Sequence, residues 1–498
     1  MQYFSDNLTL AIGLAVLLGF VGLYAAQHAL LSKRDPRSAL AWVVVCIALP
    51  LVGSVTYLIF GINRIHARAR SDYGGERTKV RATADFIFRV NRPRHDEQNE
   101  RTQERAEYLC EPPGTSLRPL SQVGEALTGR GLVSADGIDI LYNGEDFYPA
   151  LLADIGEARE SVYCSTYIFR RDDTGKSLVA ALVAARERGV DVRIIVDGLG
   201  ELVYGPRIGG LLERRGLNFR RYNPINFSPL SLRLNMRNHR KLLVIDNETA
   251  YTGGQNLSDN HLAGRLDNSA RTLDLHFRFT GKIVDDMQRA FLNDWDHCGG
   301  EMGGEPESQV ALNESAANWT RLILDGPSEN MDKLNDLLLG VFSSARRRIW
   351  LMTPYFLPAP ELMGALIGAH LRGVDVKIIL PARTNIHLAH YAAQHDLQYV
   401  LARKLAVYLQ PAPFVHTKAT LIDEQYALIG SANMDPRSLR LNFELGVEVF
   451  SAAFNASLSR HFEERLALGT RLDTSHLTAR PYWIRIRDAV AWLFSPYL

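Results

Sequence analysis

Three blocks of this sequence occur twice, in the same order. ARESVYCSTYIF (158–169) returns as ARRRIWLMTPYF (345–356), RERGVDVRIIVDG (186–198) as HLRGVDVKIILPA (370–382), and HRKLLVIDNETAYTGGQN (239–256) as HTKATLIDEQYALIGSAN (416–433). The offsets drift only from 187 to 184 to 177 residues, as small loop insertions and deletions produce. A repeat of that length means two copies of a whole domain, not a solenoid of short units. Within each copy, apolar strand-like segments alternate with helical ones, which is the α/β pattern. Each GVDV segment reads as a helix closed by its glycine and followed by a buried strand. The expected halves are 121–305 and 306–498.

Two apolar runs precede the duplication. Leu8–Leu31 and Ala39–Gly61 contain no Asp, Glu, Lys or Arg. Each is long enough to cross a bilayer, for which about 20 residues suffice. Residues 1–61 are therefore expected to be a membrane anchor of two transmembrane helices, the second kinked at Pro50 and Gly53. A cleaved signal peptide fits poorly, because MQYFSDN carries no basic residue. His28 lies inside the first run, where it is costly unless it faces the other helix. Lys33, Arg34 and Arg37 lie between the runs, against Arg64, Arg68, Arg70, Arg77, Lys79 and Arg81 after them. Two crossings with that bias put the large domains on the cytoplasmic side. Residues 62–120, with NRPRHDEQNERTQERAE at their centre, read as a charged juxtamembrane linker.

The formal net charge is +1, which excludes a globally basic nucleic-acid binder. Cys46, Cys110, Cys164 and Cys298 are too far apart in sequence for a zinc clip or a dense disulfide framework.

The third block carries the chemistry. Both copies read H-x-K-x4-D followed by a small-residue turn and Asn: His239, Lys241, Asp246 and Asn256; His416, Lys418, Asp423 and Asn433. One such motif is weak, but two in register are not. These six His, Lys and Asp residues form the candidate catalytic set, with Asn256, Asn433 and Ser431 as substrate-binding candidates. If HRKLLVID and HTKATLID are regular strands, each His and Lys share a face. The two aspartates then point to the opposite face, where they would hold the strand end by hydrogen bonds. A different acid should orient each imidazole through Nδ1. Asp274, 35 residues after His239, and Glu444, 28 after His416, stand at similar distances.

These duplicated motifs resemble those of the phospholipase D superfamily. With the two apolar runs and the GGQN and GSAN turns, the chain is similar to bacterial cardiolipin synthases. The resemblance implies two α/β/α domains in a pseudo-twofold pair, with both His-Lys-Asn sets at their interface. It implies that one histidine attacks the phosphodiester phosphorus and the other is general acid, with His239 as nucleophile and His416 as acid. Lysines and asparagines would stabilise the pentacoordinate charge. No cofactor or metal is implied, and the sequence has neither a carboxylate cluster nor a GxxxxGK[ST] loop. The implied reaction joins two phosphatidylglycerol molecules into cardiolipin and releases glycerol. The implied location is the bacterial inner membrane. A homodimer is left open. The rivals are a phospholipase D hydrolase, a phosphatidyltransferase with another donor or acceptor, a nuclease, and a membrane scaffold on a retired fold. The scaffold would be expected to have lost a His or Lys in one copy, and both are intact.

Three other features carry alternatives. Arg233, Arg237 and Arg240 read either as cations for anionic headgroups or as a solvated strand edge. RPYWIRIRDAVAWLFSPYL reads either as an interfacial helix or as a packing or dimer helix. His387, His390 and His395 have a spacing that suits zinc poorly.

Overall fold

A computed structural model of the chain describes residues 2–33, 36–61, 117–224, 236–301, 312–313, 315–327 and 330–497. Most of the expected linker, Cys110, Arg233 and the expected boundary at 305/306 lie outside the described residues. The chain divides into two units, Met1–Thr102 and Gln103–Leu498.

In the first unit, helix Gln2–Ser32 packs against the second apolar run. Gly22 lets the chains approach, since a Cβ there would stand 2.6 Å from the Cys46 carbonyl oxygen. Ala25, Ala26 and Ala29 continue the contact against Cys46 and Tyr57. His28 does face the other run, with Nδ1 2.7 Å from the Tyr57 hydroxyl. Among the described residues one helix, Ile12–Ser32, is long and apolar enough to cross a membrane. The second run was expected to be another and is not. It forms helix Pro36–Ala48, then Pro50–Thr56 and a π turn, Tyr57–Gly61. Pro50 has no N–H and forces Leu49 out of helical conformation (φ −130°, ψ 74°), so the expected kink is a break.

The second unit contains the duplicated α/β architecture. In spatial order, one seven-stranded sheet runs Gly137–Tyr142, Leu275–Thr280, Thr249–Gly253, Leu242–Ile245, Ser161–Thr166, Asp191–Asp197, Asn218–Tyr222. The other runs Asn318–Asp325, Glu444–Phe450, Tyr426–Gly430, Ala419–Ile422, Arg348–Met352, Asp375–Pro381, Ala406–Gln410. The two orders correspond strand for strand. The second sheet gains Val133–Ala135 at one edge and Thr470–Arg471 at the other. Val133–Ala135 pairs antiparallel with Asn318–Asp325, and helix Arg118–Thr128 packs on the same half. The start of the region read as the first domain thus closes an edge of the second sheet.

The repeated blocks explain the matching cores. Ser161–Thr166 and Asp191–Asp197 pair in parallel, as do Arg348–Met352 and Asp375–Pro381. These strands are covered by helices and are largely buried, hence their near-continuous Ile and Val. Helix Asp173–Glu187 starts at Asp172, whose carboxylate accepts from the Gly175 N–H. It ends at Gly189, and its counterpart ends at Gly373, with φ of +93° and +89°. That left-handed turn is the cap expected from both RGVDV segments.

Candidate active site

Both motif strands are shorter than their sequence suggested. They begin at Leu242 and Ala419, so His239, Lys241, His416 and Lys418 sit on the lead-in segments. Those segments have other partners. The His239 N–H donates to the Phe443 carbonyl at 2.9 Å, and the His416 N–H donates to the Leu273 carbonyl at 2.8 Å. Phe443 and Leu273 belong to the opposite half in each case, and each immediately precedes an acid.

That register dictates the pairing of imidazole and carboxylate. His416 Nδ1 lies 2.8 Å from Asp274 Oδ2. His239 Nδ1 lies 3.1 Å from Glu444 Oε1, an ion-pair distance at an angle too poor for a full hydrogen bond. Asp274 and Glu444 are therefore the histidine partners, but crossed: each histidine takes its acid from the other half. Similar separations along the chain, 35 and 28 residues, suggested pairing within a copy. The backbone register across the seam overrides them. Neither half can orient its histidine alone.

The two acids are supported differently. The Ser431 hydroxyl donates to Glu444 Oε2 at 2.5 Å. Ser431, expected to bind substrate, instead holds this carboxylate. Gly254 stands at the equivalent place in the first half, where a Cβ would come within 2.3 Å of Asp274 Oδ1. The longer acid is paired with serine and the shorter with glycine. Asp274 Oδ1 accepts from the Leu275 N–H at 2.9 Å instead.

Asp246 and Asp423, counted with the catalytic set through the motif, are structural. Asp246 accepts from the N–H groups of Arg159, Glu160 and Ser161, all at 2.8 Å. Asp423 accepts from Arg346, Arg347 and Arg348, the closest at 2.7 Å. Both sit at positive φ, +53° and +47°, where the chain turns out of the motif strand. Each carboxylate fastens that turn to the start of the neighbouring strand, the strand-end role expected of it.

Both lysines fold back: Nζ of Lys241 donates to the His239 carbonyl at 2.7 Å, and Nζ of Lys418 to the His416 carbonyl. Both are buried. Burial lowers Lys241 to about 8 despite Glu444 and Asp274, and lowers Lys418 to about 7 despite Asp274. Burial, then the neighbouring lysine, also lowers each motif histidine. Burial raises Glu444, but His239, Lys241 and Ser431 outweigh it and hold the acid below its ordinary value. Lys418 acts on His239, Lys241 on His416, and the lysines on each other, so the two sets share one electrostatic site. Asn256 and Asn433 are buried beside it, each with an unsatisfied Oδ1.

Several residues at this site were not singled out from sequence. The Tyr167 ring lies 4.7 Å from that of His239. His261 accepts from the Asn256 N–H through Nε2 at 3.1 Å, and its ring is 6.4 Å from that of His416. Burial lowers it to about 3, so it stays neutral. The duplication could not reveal it, because at the 177-residue offset the second half has Ser438. Arg237 and Arg240 are neither headgroup ligands nor a solvated edge. Arg237 is buried against Asp197 at 3.0 Å, and Arg240 against Asp294 at 2.6 Å. Arg240 also donates to the Glu444 carbonyl at 3.2 Å, tying the His239 segment to the second half.

Two α/β layers of one topology, each giving a His-Lys pair and an acid to a single seam, define a duplicated two-domain class with a composite site. The chain belongs to the phospholipase D superfamily: the family described as "Cardiolipin synthase, PLD-like domain" matches residues 151–295 and 338–466. Residues 15–61 match the family described as "Phospholipase_D-nuclease N-terminal". The chain is 29% identical to "Major cardiolipin synthase ClsA" of Bacillus subtilis (strain 168), covering 100% of both chains. It is 29% identical to "Cardiolipin synthase" of Geobacillus kaustophilus (strain HTA426), covering 97% of this chain and 93% of the relative. A solved phosphatidylserine synthase of Haemophilus influenzae Rd KW20 has a similar fold, with a TM-score of 0.61 at 15% identity, covering 76% of this chain and 100% of that one.

Proposed function

We propose that this chain is a membrane-attached phosphatidyltransferase that makes cardiolipin and glycerol from two molecules of phosphatidylglycerol. The observation that carries the reading is the crossed pair of histidine–carboxylate contacts flanked by two buried lysines. Both imidazoles are neutral near pH 7, because burial and the lysines oppose a further charge. A carboxylate beside each Nδ1 favours the proton there, so each Nε2 keeps a free lone pair.

An anionic phosphodiester entering the seam restores charge to the lysines and favours protonation of one imidazole. His239 Nε2 attacks phosphorus, the bond from phosphorus to the glycerol oxygen breaks, and His416 Nε2–H protonates that oxygen. Glycerol leaves a phosphatidyl group on His239. His416 then takes the proton from a hydroxyl of the second phosphatidylglycerol. The new oxygen–phosphorus bond forms as the phosphorus–nitrogen bond breaks. Lys241 and Lys418 neutralise the non-bridging oxygens during both displacements. Relatives named cardiolipin synthase, similar over nearly the whole chain, support the acceptor being a lipid alcohol.

The apolar N-terminal unit holds the enzyme where both substrates lie, which raises their effective concentration. Lys33, Arg34 and Arg37 directly follow the helix Ile12–Ser32, and the seven residues before the first run hold no basic residue, a bias that favours the cytoplasmic face of a bacterial membrane for the domains that follow. The test is conversion of phosphatidylglycerol as sole substrate by wild type, His239→Ala and His416→Ala. Cardiolipin and glycerol from wild type alone support the reading; phosphatidic acid as the main product overturns it. Acid-labile phosphate trapped on residue 416 would reverse the two histidine roles.

A further inference from the structure

The last long helix, Tyr482–Trp492, has two unlike faces. Its inner face is fastened. Asp488 and Ala491 are buried, and Asp488 accepts from Arg480 and Arg487, both at 2.7 Å. The Arg487 guanidinium lies 3.6 Å from the Tyr391 ring centroid, and Trp492 stacks on His395 at 4.4 Å. This is one of the two roles that the sequence left open for the segment. His395, weighed as a metal ligand, serves it.

Among the described residues, the outer face has no such partners. Tyr482 is 76% exposed, Trp483 65%, Leu493 66% and Phe494 52%, with Ile486 and Val490 between them. At this helical spacing they make one continuous stripe. A soluble surface rarely presents two large aromatic rings and four aliphatic or aromatic neighbours in a row. The only carboxylate on the helix, Asp488, is buried and neutralised, whereas Arg485 is exposed beside the stripe. The charge left for a partner is positive.

The stripe stands close to the seam. Ala491 shares a buried apolar cluster with Leu357, Ala389 and Ala392, and Tyr355 packs against that cluster. The Tyr355 ring is 6.4 Å from Phe414, which is 5.9 Å from His416. The first half supplies a counterpart. Val203 and Tyr204 are exposed, at 58% and 40%. Tyr204 lies 6.2 Å from Tyr167, the ring that packs on His239. Each catalytic histidine is thus linked through aromatic rings to an exposed apolar segment of its own half.

We infer that these two segments form a rim that docks on an anionic bilayer, with Trp483 and Tyr482 at headgroup depth and Arg485 against lipid phosphate. Trp and Tyr suit that depth because an apolar ring carries a polar edge. The rim would set the mouth of the seam at the lipid surface, so that a headgroup reaches the histidines without its lipid leaving the bilayer. The inference rests on the reading that the substrates are bilayer lipids.

The test uses the full chain reconstituted in phosphatidylglycerol–phosphatidylcholine vesicles, with and without bromine on the acyl chains. The emission of wild type minus that of Trp483→Phe isolates the exposed ring. The expected result is loss of more than half of that component in brominated vesicles, with shielding from aqueous acrylamide. Val490→Asp should lower turnover of vesicular phosphatidylglycerol about tenfold, the effect of about 1.4 kcal/mol of lost apolar docking, and leave turnover of monomeric short-chain phosphatidylglycerol unchanged. An unquenched Trp483 component overturns the inference, as does shielding that grows with protein concentration alone, which marks a second copy as the occupant. Quenching with no cardiolipin formed would overturn the proposed function and leave the docking surface standing.

Discussion

Lys418→Met should give a dead enzyme that is more stable than the wild type. The lysine is buried, and its value falls from 10.5 to about 7. Because the folded value is the lower one, the unfolded chain binds more protons between about pH 7 and 10.5. Wild-type stability therefore rises with pH across that window, and below it the full cost of burying the charge stands. At about 1.4 kcal/mol per pH unit, that cost is about 5 kcal/mol at pH 6 and about 2 kcal/mol at pH 9. Losing the bond from Nζ to the His416 carbonyl returns about 1 kcal/mol. The net gain is then about 4 kcal/mol at pH 6 and about 1 kcal/mol at pH 9. Urea unfolding of the full chain in detergent, followed by tryptophan emission, measures both. A variant less stable than wild type at pH 6, or a gain that does not shrink by pH 9, would refute the argument that this ammonium is strongly desolvated.

The crossed acids predict crossed energies: in unfolding double-mutant cycles, His239→Ala should couple to Glu444→Gln by about 1–2 kcal/mol and to Asp274→Asn by nearly nothing, and the reverse result would restore pairing within each half. Asp246→Ala removes three backbone contacts and should cost about 2–3 kcal/mol of stability, while turnover per folded molecule stays within twofold of wild type in the lipid-conversion assay. Gly254→Ser puts an atom into the space of Asp274 Oδ1 and should lower kcat by about a hundredfold through misorientation of His416, whereas activity near wild type would mean that Asp274 has room to move. The free-enzyme profile of kcat/KM should fall as pH rises past about 7 to 8, where Lys418 and then Lys241 lose their protons; a flat profile to pH 9 would show that neither ammonium is needed.

The sequence by itself determined what the halves are made of. Periodicity in the three repeated blocks fixed an α/β duplication, because a strand buried on both faces must be apolar throughout and a helix must end where glycine permits positive φ. Gly189 and Gly373 are where RGVDV placed them. The motif histidines and lysines were legible for the same reason, since two copies in register are hard to reach by chance. The strand-end role expected of Asp246 and Asp423 was argued from alternation along a strand that, as formed, contains neither the motif histidines nor the aspartates. Local pattern misjudged the second apolar run, where its hydropathy outweighed the break that Pro50 imposes on the backbone.

Only the tertiary structure decided how the halves complete each other. The hydrogen bonds from His239 to Phe443 and from His416 to Leu273 set a register across the seam, and that register hands each histidine the acid of the other half. Similar spacing in a duplicated chain cannot distinguish a partner within a copy from the equivalent partner in the other copy. His261, Tyr167 and the roles of Ser431, Arg237 and Arg240 were hidden for a related reason: they break the internal symmetry. A hydrogen bond needs its two atoms about 3 Å apart in space, and separation along the chain does not encode that distance once the chain folds back on its own duplicate.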